Sequence, residues 1–345
     1  MQKKAVVLLS GGLDSRLAIK IMLEQEIELV AVNYVTLFCT CTSKNSCCSE
    51  AKKASDEYGI PLKVFNFTEQ FLEIVKNPEH GYGSNLNPCI DCRISMFKNA
   101  AKYMKEIGAS FLVTGEVLGE RPMSQRRDSM RVIERDSGLE GLILRPLSAR
   151  LLDPTIPEQN GIVDREKLLD ISGRSRKPQI ALADTFGMKD YPCPAGGCLL
   201  TDPEFAKRMK DLLDHEQDIT MNDIKLLKVG RHFRLSPKSK IAVGRDEQEN
   251  TRLTSLAKPG DYLIEAVDFT GPITVARGEA NQDELRLAGA ITARYGKGKN
   301  EQSVKISLQK LEDGHGDVEK DQQTLIQKTI DVSPIEDQNL TELRI

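Results

Sequence analysis

The sequence lacks the features that define several protein classes. No apolar run in its 345 residues approaches the length of a membrane-spanning helix, and the first predicted strand is too short for a signal-peptide core. A formal net charge of −3 excludes a basic surface over the whole molecule, so nucleic-acid contact would need local patches. There is no internal repeat, and the absence of tryptophan excludes nothing. We therefore expect a cytoplasmic protein that does not contact a membrane.

Length and cysteine content give two further bounds. At 345 residues the chain is long enough for two or more domains with an ample hydrophobic core. It contains eight cysteines. Because disulfides are rare in the cytoplasm, these cysteines suggest metal ligation or thiol chemistry.

One stretch near the start, Ser10-Gly11-Gly12-Leu13-Asp14-Ser15, organises the rest of the chain. It follows an unbroken apolar run at 5–9 that predicts a buried strand, and it precedes apolar residues at helical spacing from Leu17 to Met22. Two glycines allow a tight turn, and the N–H groups of the new helix with the two serine hydroxyls would form an anion cradle. The alternative is an ordinary glycine turn.

The motif has no Lys-Ser/Thr ending, which excludes the P-loop of kinases and GTPases. It resembles the PP-loop signature SGGxDS of the ATP pyrophosphatases. That resemblance implies that the chain binds ATP, with Mg²⁺, and cleaves it to AMP and pyrophosphate. The implied ATP-binding residues are Ser10, Gly11, Gly12, Asp14 and Ser15, with Asp14 also catalytic because it would orient the loop or the magnesium ion.

Strands and helices alternate after this motif. Strands are predicted at 28–34, 62–66, 111–114 and 142–144, and helices at 49–58, 164–171 and 178–186. This alternation predicts an α/β fold, a doubly wound parallel sheet with helices on both faces. Ligands of such sheets bind at the carboxyl ends of the strands, so Asn33, Gly115 and Glu116 are further candidate ATP-binding residues.

Cysteines occur in two further groups near the predicted edge. Cys39, Cys41, Cys47 and Cys48 lie within ten residues and could chelate a metal, although their spacing is not that of common zinc sites. Cys89-Ile90-Asp91-Cys92 opens a predicted helix, whose N-terminus should lower cysteine pKa values. Cys198 follows two glycines in an irregular loop, and Cys193 in the same loop is a rival candidate flanked by prolines.

The segment Leu112–Gln125, with the sequence LVTGEVLGERPMSQ, makes the resemblance more specific. Together with a cysteine placed before a helix, it resembles the ThiI-type tRNA 4-thiouridine synthetases. The resemblance implies an enzyme that adenylates a uridine carbonyl of tRNA, at position 8, and replaces its oxygen with sulfur. Cys92 and Cys198 would then be catalytic, and the sulfur donor would be free sulfide or a cysteine desulfurase.

Two chemistries fit Cys89, Cys92 and Cys198. One cysteine could carry a persulfide that another resolves as a disulfide. Alternatively, all three could be metal ligands that hold a [4Fe-4S] cluster and leave one iron free for sulfide. Cluster-dependent thiolation enzymes resemble this pattern of C-x-x-C plus a distant cysteine, and Cys89 would be surplus to a persulfide mechanism. We therefore predict the cluster, with structural zinc as the simpler alternative.

Arginines crowd the segment that follows the ThiI-like stretch. Candidate RNA-binding residues are Arg121, Arg126, Arg127 and Arg131. They could contact RNA phosphates, since the segment leaves the predicted active edge. The alternative is a solvated helix face paired with neighbouring acidic residues.

The composition divides the chain into a PP-loop thiolation domain at 1–217, a smaller α+β domain at 218–298 and an acidic tail at 299–345. The second domain resembles the RNA-associated domain at the end of NFACT-type proteins, which again implies an RNA partner. The tail should be loosely attached and should not contact RNA.

Three other functions stay open. The first is 2-thiouridine formation in tRNA by the same chemistry, and the second is an amide-forming PP-loop ligase, which would not need three convergent cysteines. The third is a non-catalytic iron–sulfur sensor that binds nucleotide or RNA. The chain could also act as a homodimer.

Overall fold

A computed structural model describes residues 2–40, 47–188, 191, 197–312 and 325–345. The chain divides into two compact units, residues 1–201 and 202–345. Among the described helices, none combines the length and the apolar character required to cross a membrane.

The first unit alternates strands and helices, as the sequence predicts. Its elements are β1 (Lys4–Leu8), α1 (Leu13–Leu23), β2 (Glu28–Val35), α2 (Cys47–Glu57), β3 (Leu62–Asn66), α3 (Thr68–Lys76), α4 (Cys89–Glu106), β4 (Phe111–Thr114), α5 (Arg127–Ser137), β5 (Ile143–Leu144), α6 (Ile156–Gln159) and α7 (Lys177–Thr185).

The five strands form one parallel sheet in the order β3-β2-β1-β4-β5. The order changes direction at β1, with β2 on one side and β4 on the other. This is the position at which ligands bind in open α/β sheets. The predicted doubly wound fold is therefore confirmed.

Both faces of the sheet are covered, because alternate residues of each strand point to opposite sides. In β1, Ala5 and Val7 pack against apolar residues of α1, α2 and α7. Val6 and Leu8 pack on the other face against Phe97 of α4 and its neighbours. Fully buried strands explain why β1 has no polar alternation.

One predicted helix of the first unit is wrong. Residues 164–171 form a single 3₁₀ turn, Arg165–Lys167, in which the Asp164 carboxylate accepts a hydrogen bond from the Glu166 N–H. The chain then runs alongside residues 146 and 147, because the N–H groups of Leu169 and Ile171 bond their carbonyl oxygens. This backbone pairing competes successfully with the helical pattern.

The second unit is α+β, as predicted, with its strands in one antiparallel sheet. Its elements are α8 (Pro203–His215), α9 (Met221–Leu226), β6 (Arg231–Ser236), β7 (Ser239–Val243), α10 (Glu247–Leu256), β8 (Tyr262–Ala266), β9 (Thr274–Gly278), α11 (Gln282–Arg294), β10 (Val304–Leu311), β11 (Leu325–Val332) and α12 (Asp337–Leu343). The strand order is β11-β10-β8-β9-β7-β6. Leu285 and Ile291 of α11 lie in its main core.

Two predicted boundaries differ from the structure. The predicted break at 217/218 lies at 201/202, because α8 belongs to the second unit. The prediction of a loosely attached tail at 299–345 is wrong for its described part. β10 pairs with both β8 and β11, and Ile306, Leu308 and Leu340 are buried in the core of the second unit. The acidic composition of residues 299–345 predicted a loose tail, although buried residues alternate along β10.

Candidate functional site

The loop after β1 carries the predicted ATP-binding motif. Gly11 has φ +81°, in the left-handed region that favours glycine. A Cβ atom there would lie 2.6 Å from the backbone carbon of Glu50 in α2, so a larger residue has no room. Sequence and packing therefore both require glycine at this point of the loop.

Hydrogen bonds within the loop fix its two serines. The Ser15 hydroxyl donates to the Gly12 carbonyl oxygen at 2.8 Å, and the two serine Oγ atoms, Ser10 and Ser15, are 3.3 Å apart. Gly12 is the N-cap of α1 and provides no side-chain cap. In the described part of the chain, no N-cap side chain therefore bonds the N–H groups at the start of α1, which is the end of the helix that favours anions.

Arg16 fixes the position of the loop by a hydrogen bond and salt bridges, a role that the sequence did not indicate. The residue is 3% exposed, and its Nε donates to the Gly11 carbonyl oxygen at 3.1 Å. The guanidinium also forms salt bridges with Glu57 at 3.0 Å and Glu50 at 3.7 Å. This residue therefore ties the loop to α2.

Asn33 and Gly115 both reach the loop from neighbouring strands. The buried Asn33 amide donates from Nδ2 to the Leu9 carbonyl oxygen at 2.8 Å, while its Oδ1 has no partner among the described residues. A Cβ on Gly115 would lie 2.5 Å from the backbone of Asp14 and Ser15. The structure thus places both predicted residues against the motif, although their contact with ATP stays a prediction.

Glu116 lies instead in a buried ion-pair network. Its carboxylate oxygens lie 3.2 Å from Nε of Arg93 and 3.0 Å from Nε of Arg145, and Arg145 also pairs with Glu134. Glu116 and Arg145 are each 3% exposed. The predicted role of Glu116 in ATP binding would therefore have to come through its backbone or its position, because its carboxylate is engaged by arginines.

Charged groups surround Asp14. Burial raises the pKa of Asp14, and the nearby Arg176 and Arg121 guanidinium groups oppose that effect. Burial also raises the pKa of Glu120, as does the negative charge of Asp14. Two neighbouring carboxylates with raised pKa values are a donor set that fits Mg²⁺. Sequence reasoning did not select Glu120 or Arg176.

Four cysteines converge at the same end of the sheet. Cys39 follows β2, and its backbone forms an antiparallel bridge with that of Cys198. The Leu199 N–H bonds the Phe38 carbonyl oxygen at 2.8 Å on one side of this bridge. The thiols of Cys89, Cys92 and Cys198 interact electrostatically in all three pairings, and Cys39 interacts with Cys198.

This arrangement joins Cys39 to the predicted set and leaves other cysteine predictions untested. The separate chelating group predicted at 39–48 included Cys41, Cys47 and Cys48, and Cys193 was a rival for Cys198. Cys41, Cys193 and the side chains of Cys47 and Cys48 lie outside the described residues.

Burial dominates the electrostatics of the thiols. It raises the pKa of Cys92, and it raises the pKa of Cys198 to about 12, with the neighbouring thiols adding to both shifts. The prediction that the helix N-terminus would lower the pKa is wrong for Cys92. Cys92 lies one turn inside α4, where its N–H already bonds the Pro88 carbonyl oxygen. Both cysteines are half-buried, and thiols with raised pKa values are poor free nucleophiles that deprotonate readily only when a metal binds.

The spacing of the thiols bears on which metal group they could hold. Three sulfurs around one tetrahedral zinc ion, at about 2.3 Å from it, would be about 3.8 Å apart. Among the described residues, no three cysteine sulfurs lie within 4.8 Å of one another. The described thiols are therefore spaced more widely than the ligands of one bound zinc ion.

Asp91, between the two cysteines of α4, anchors the first turn of that helix. Its carboxylate oxygens lie 2.7 Å from Nδ1 of His80 and accept a bond from the His80 backbone N–H at 3.1 Å. The other ring nitrogen of His80 lies 3.1 Å from Asp136 of α5. These contacts hold the thiol-bearing turn against the loop before it.

The loop at residues 115–126, here the linking loop, contacts both groups of residues. At its start Gly115 abuts Asp14, and the charge of Arg121 acts on Asp14. Near its end the Ser124 hydroxyl lies 4.0 Å from the Cys89 thiol. The ATP motif and the thiols are therefore joined by one short segment.

The four arginines predicted to bind RNA are all exposed but differ in their contacts. Arg127 donates to the Leu151 carbonyl oxygen at 2.6 Å, and Arg131 pairs with Asp153 at 3.2 Å. Both line a cleft of about 400 Å³ between α5 and residues 149–158, whose walls carry charges of both signs. Arg121 acts on Asp14, whereas Arg126 forms no salt bridge among the described residues.

Two family models match the chain. Residues 1–151 match the family described as Thiamine biosynthesis protein (ThiI). Residues 230–343 match the family described as NFACT protein RNA binding domain. The chain combines a ThiI-type segment with an NFACT-type segment. Both resemblances that the sequence suggested are confirmed.

Individual proteins show the same similarity at lower coverage. The tRNA-specific 2-thiouridylase MnmA of Caldicellulosiruptor saccharolyticus is 29% identical over 224 residues, covering 60% of this chain and 58% of the relative. A probable tRNA sulfurtransferase of Thermococcus kodakarensis is 28% identical over 171 residues, covering 50% of this chain and 40% of the relative. The chain thus spans less than two thirds of each relative.

Among solved structures, a 4-thiouridine synthetase–RNA complex with bound ATP is 23% identical. The aligned region covers 53% of this chain and 51% of the synthetase chain, with a TM-score of 0.35.

Proposed function

We propose that this protein is an ATP-dependent tRNA sulfurtransferase, which activates a uridine carbonyl with ATP and replaces its oxygen with sulfur. The linking loop carries this proposal, because it contacts the predicted phosphate-binding loop at one end and the converging thiols at the other. The ThiI-type match and the names of the relatives support tRNA sulfur transfer. The NFACT-type match supports RNA as the partner.

In the first step, the carbonyl oxygen of the uridine attacks the α-phosphorus of ATP, and pyrophosphate leaves. The Ser10 and Ser15 hydroxyls and the N–H groups at the start of α1 would hold the departing phosphates. Mg²⁺, held by Asp14 and Glu120, would neutralise the charge that develops on them. Arg16 and Gly115 keep the loop in place while the bond breaks.

In the second step, sulfur attacks the adenylated carbon and the carbon–oxygen bond to AMP breaks. The step involves no net oxidation when the sulfur arrives as sulfide. Cys89, Cys92 and Cys198 would hold a [4Fe-4S] cluster, which supplies an iron site for that sulfide. Cys92 and Cys198 are half-buried, and burial raises the pKa of both thiols, which favours their use as ligands over a persulfide mechanism.

We favour 4-thiouridine at tRNA position 8 as the product, because the ThiI-type match includes the Thr114-Gly115-Glu116 segment. The second candidate is 2-thiouridine, and the similarity to tRNA-specific 2-thiouridylases supports it. Both products use the same activation chemistry. Free sulfide or a cysteine desulfurase is the proposed donor, and a homodimer stays a prediction.

The cluster is tested by iron and acid-labile sulfide analysis of protein purified without oxygen. We expect about four irons and four sulfides per chain with a brown chromophore. Iron-free protein with bound zinc would indicate a structural site, and metal-free protein that thiolates tRNA would indicate a persulfide mechanism.

The activity is tested by incubating the loaded protein with unmodified tRNA, MgATP and sulfide, then analysing the nucleosides by mass spectrometry. 4-Thiouridine at position 8 is the expected product, whereas 2-thiouridine would select the second candidate. ATP binding without any thiouridine and without pyrophosphate release would favour a non-catalytic sensor. ATP cleavage that depends on an ammonia donor would indicate an amide-forming ligase.

A further inference from the structure

Several buried polar atoms near Asp14 have no hydrogen-bond partner among the described residues. They are Oδ1 of Asp14, Nε of Arg176 and both amide atoms of Gln179. Arg176 is the N-cap of α7, and Gln179 lies in the first turn of that helix. Gln179 is 0% exposed. Buried polar groups in folded proteins are nearly always bonded, so a group of unbonded atoms at one place indicates a ligand.

The contacts that these atoms do make are incomplete. Nη2 of Arg176 lies 3.6 Å from Oδ2 of Asp14, longer than a direct charge-assisted hydrogen bond of about 2.8 Å. The Gln179 amide approaches the Asp14 carboxylate closely enough for hydrogen bonding to lower the pKa of Asp14, although neither amide atom has a hydrogen bond of normal geometry among the described residues. Arg176 and Gln179 thus both approach Asp14, and neither contact satisfies the atoms named above.

The four unbonded atoms divide into two donors and two acceptors. Nε of Arg176 and Nε2 of Gln179 can donate to phosphate oxygens, and the α7 N-terminus adds a favourable dipole. Oδ1 of Asp14 and Oε1 of Gln179 can accept from water on a magnesium ion or bind the ion itself. A bare anion would satisfy only the donors, whereas a magnesium polyphosphate would satisfy both kinds.

We propose that Arg176 and Gln179 bind the outer phosphates of ATP together with their magnesium ion. This inference rests on the proposed function and adds a third wall to the ATP site. The serine loop and the linking loop provide the other two. Because AMP lacks the outer phosphates, Arg176 and Gln179 would distinguish the substrate from the product nucleotide.

The test is calorimetric titration of the full chain with MgATP and, separately, with AMP. Arg176→Gln should weaken MgATP binding about tenfold or more and leave AMP binding within about twofold. Gln179→Met, which keeps the size of the side chain, should weaken MgATP binding by a smaller factor. Arg176→Lys should recover part of the loss, because it restores the charge without the planar donor group.

Arg174→Gln is the matched control, since it removes the same charge from an exposed position two residues away. It should leave MgATP and AMP binding within about twofold of the unaltered protein. Unchanged MgATP binding in Arg176→Gln, or an equal loss of MgATP and AMP binding, would overturn the inference and leave the proposed function standing. Failure of the unaltered protein to bind MgATP would overturn both.

Discussion

The ATP motif and the thiol group lie at the same end of one sheet but are built in different ways. The ATP motif is one continuous segment, Ser10–Ser15, whose hydrogen bonds are largely internal. The thiols come from three separated segments, around Cys39, Cys89–Cys92 and Cys198, which the backbone bridge at Cys39 helps to bring together. Local sequence therefore encodes the first group, whereas tertiary structure assembles the second.

The difference extends to the charges. The ATP group contains carboxylates and guanidinium groups that partly offset one another around Asp14. In the thiol group, burial is the main cause of the raised pKa values of Cys92 and Cys198, and the neighbouring thiols add to it. A polar ligand suits the first environment, and a neutralising metal group suits the second. Variants that affect one group but not the other are the direct way to test this division.

The largest expected effect is at Asp14. Asp14→Ala should lower tRNA-dependent pyrophosphate release by about 100-fold to 1,000-fold, because it removes the carboxylate proposed to hold the magnesium ion of ATP. Iron content should stay unchanged. Asp56→Ala, at an exposed aspartate of α2, is the control and should retain both properties. Loss of iron in Asp14→Ala would show that the two groups are not separate.

Cys198→Ala should have the converse effect. We expect thiolation to fall by at least about 100-fold and iron to be lost, because one of the three proposed cluster ligands is removed. MgATP binding should stay within about twofold of the unaltered protein. Cys47→Ala and Cys48→Ala serve as controls and should retain most thiolation. Full activity in Cys198→Ala would contradict the site.

Much of the first group could be predicted from sequence, and the reason is physical. A buried strand, two glycines and a helix follow in order, so Ser10, Gly11 and Asp14 are placed by local rules alone. Arg16, Glu120 and Arg176 could not be found in this way, because their partners lie on other segments. The strands β3 and β4 were predicted at their observed bounds for the same local reason.

The thiol group shows the limit of local reasoning. The sequence indicated Cys89, Cys92 and Cys198, but it assigned Cys39 to a different group because spacing cannot reveal the bridge to Cys198. The pKa of Cys92 was predicted in the wrong direction because burial depends on tertiary packing. The predicted second domain ended at 298, before β10, because the acidic composition of the following residues outweighed the alternation of buried residues in β10.

Glu116→Gln should weaken both groups together, because its ion pairs connect α4 with the linking loop. Removing one partner of a buried ion pair costs about 3–5 kcal/mol of folding free energy. Urea unfolding would measure that loss, and thiolation and MgATP binding should decline in parallel. Glu28→Gln, at an exposed salt bridge with Lys4, should change the stability by less than about 1 kcal/mol. A change confined to one group would contradict the connecting role.

Lys240, in the second unit, tests whether a buried group can lack a hydrogen-bond partner without belonging to a ligand site. Its side chain is 2% exposed, its Nζ has no partner among the described residues, and burial lowers its pKa to about 8. The folded state therefore binds this proton less tightly than the unfolded state, whose lysine pKa is near 10.5. The resulting cost to folding is complete below pH 8 and disappears as the pH rises toward 10.5.

Lys240→Met should therefore raise the free energy of unfolding at pH 7 by up to about 3 kcal/mol, and by much less near pH 10.5. MgATP binding should not change. Lys238→Met, at an exposed position beside Glu279, is the control for the loss of charge. An equal effect of Lys240→Met at both pH values would contradict burial as the cause.

The smallest expected effect is at Arg126. Arg126→Gln should weaken tRNA binding by about two- to fivefold and reduce its salt dependence by about one phosphate contact. Filter binding over a range of salt concentrations would measure both quantities. Lys105→Gln, an exposed substitution at the far end of α4, should leave them unchanged. An unaltered salt dependence in Arg126→Gln would indicate that Arg126 is a solvated surface residue that does not contact tRNA.

The most direct test of the account measures two products in one sample. Protein loaded with the proposed cluster is mixed with tRNA, MgATP and sulfide. The amounts of pyrophosphate and thiouridine are then measured at successive times. The account predicts one pyrophosphate for each thiouridine, with neither product formed when ATP or the three thiols are absent. Thiouridine formed without pyrophosphate, or tRNA-dependent pyrophosphate release that never yields thiouridine, would contradict it.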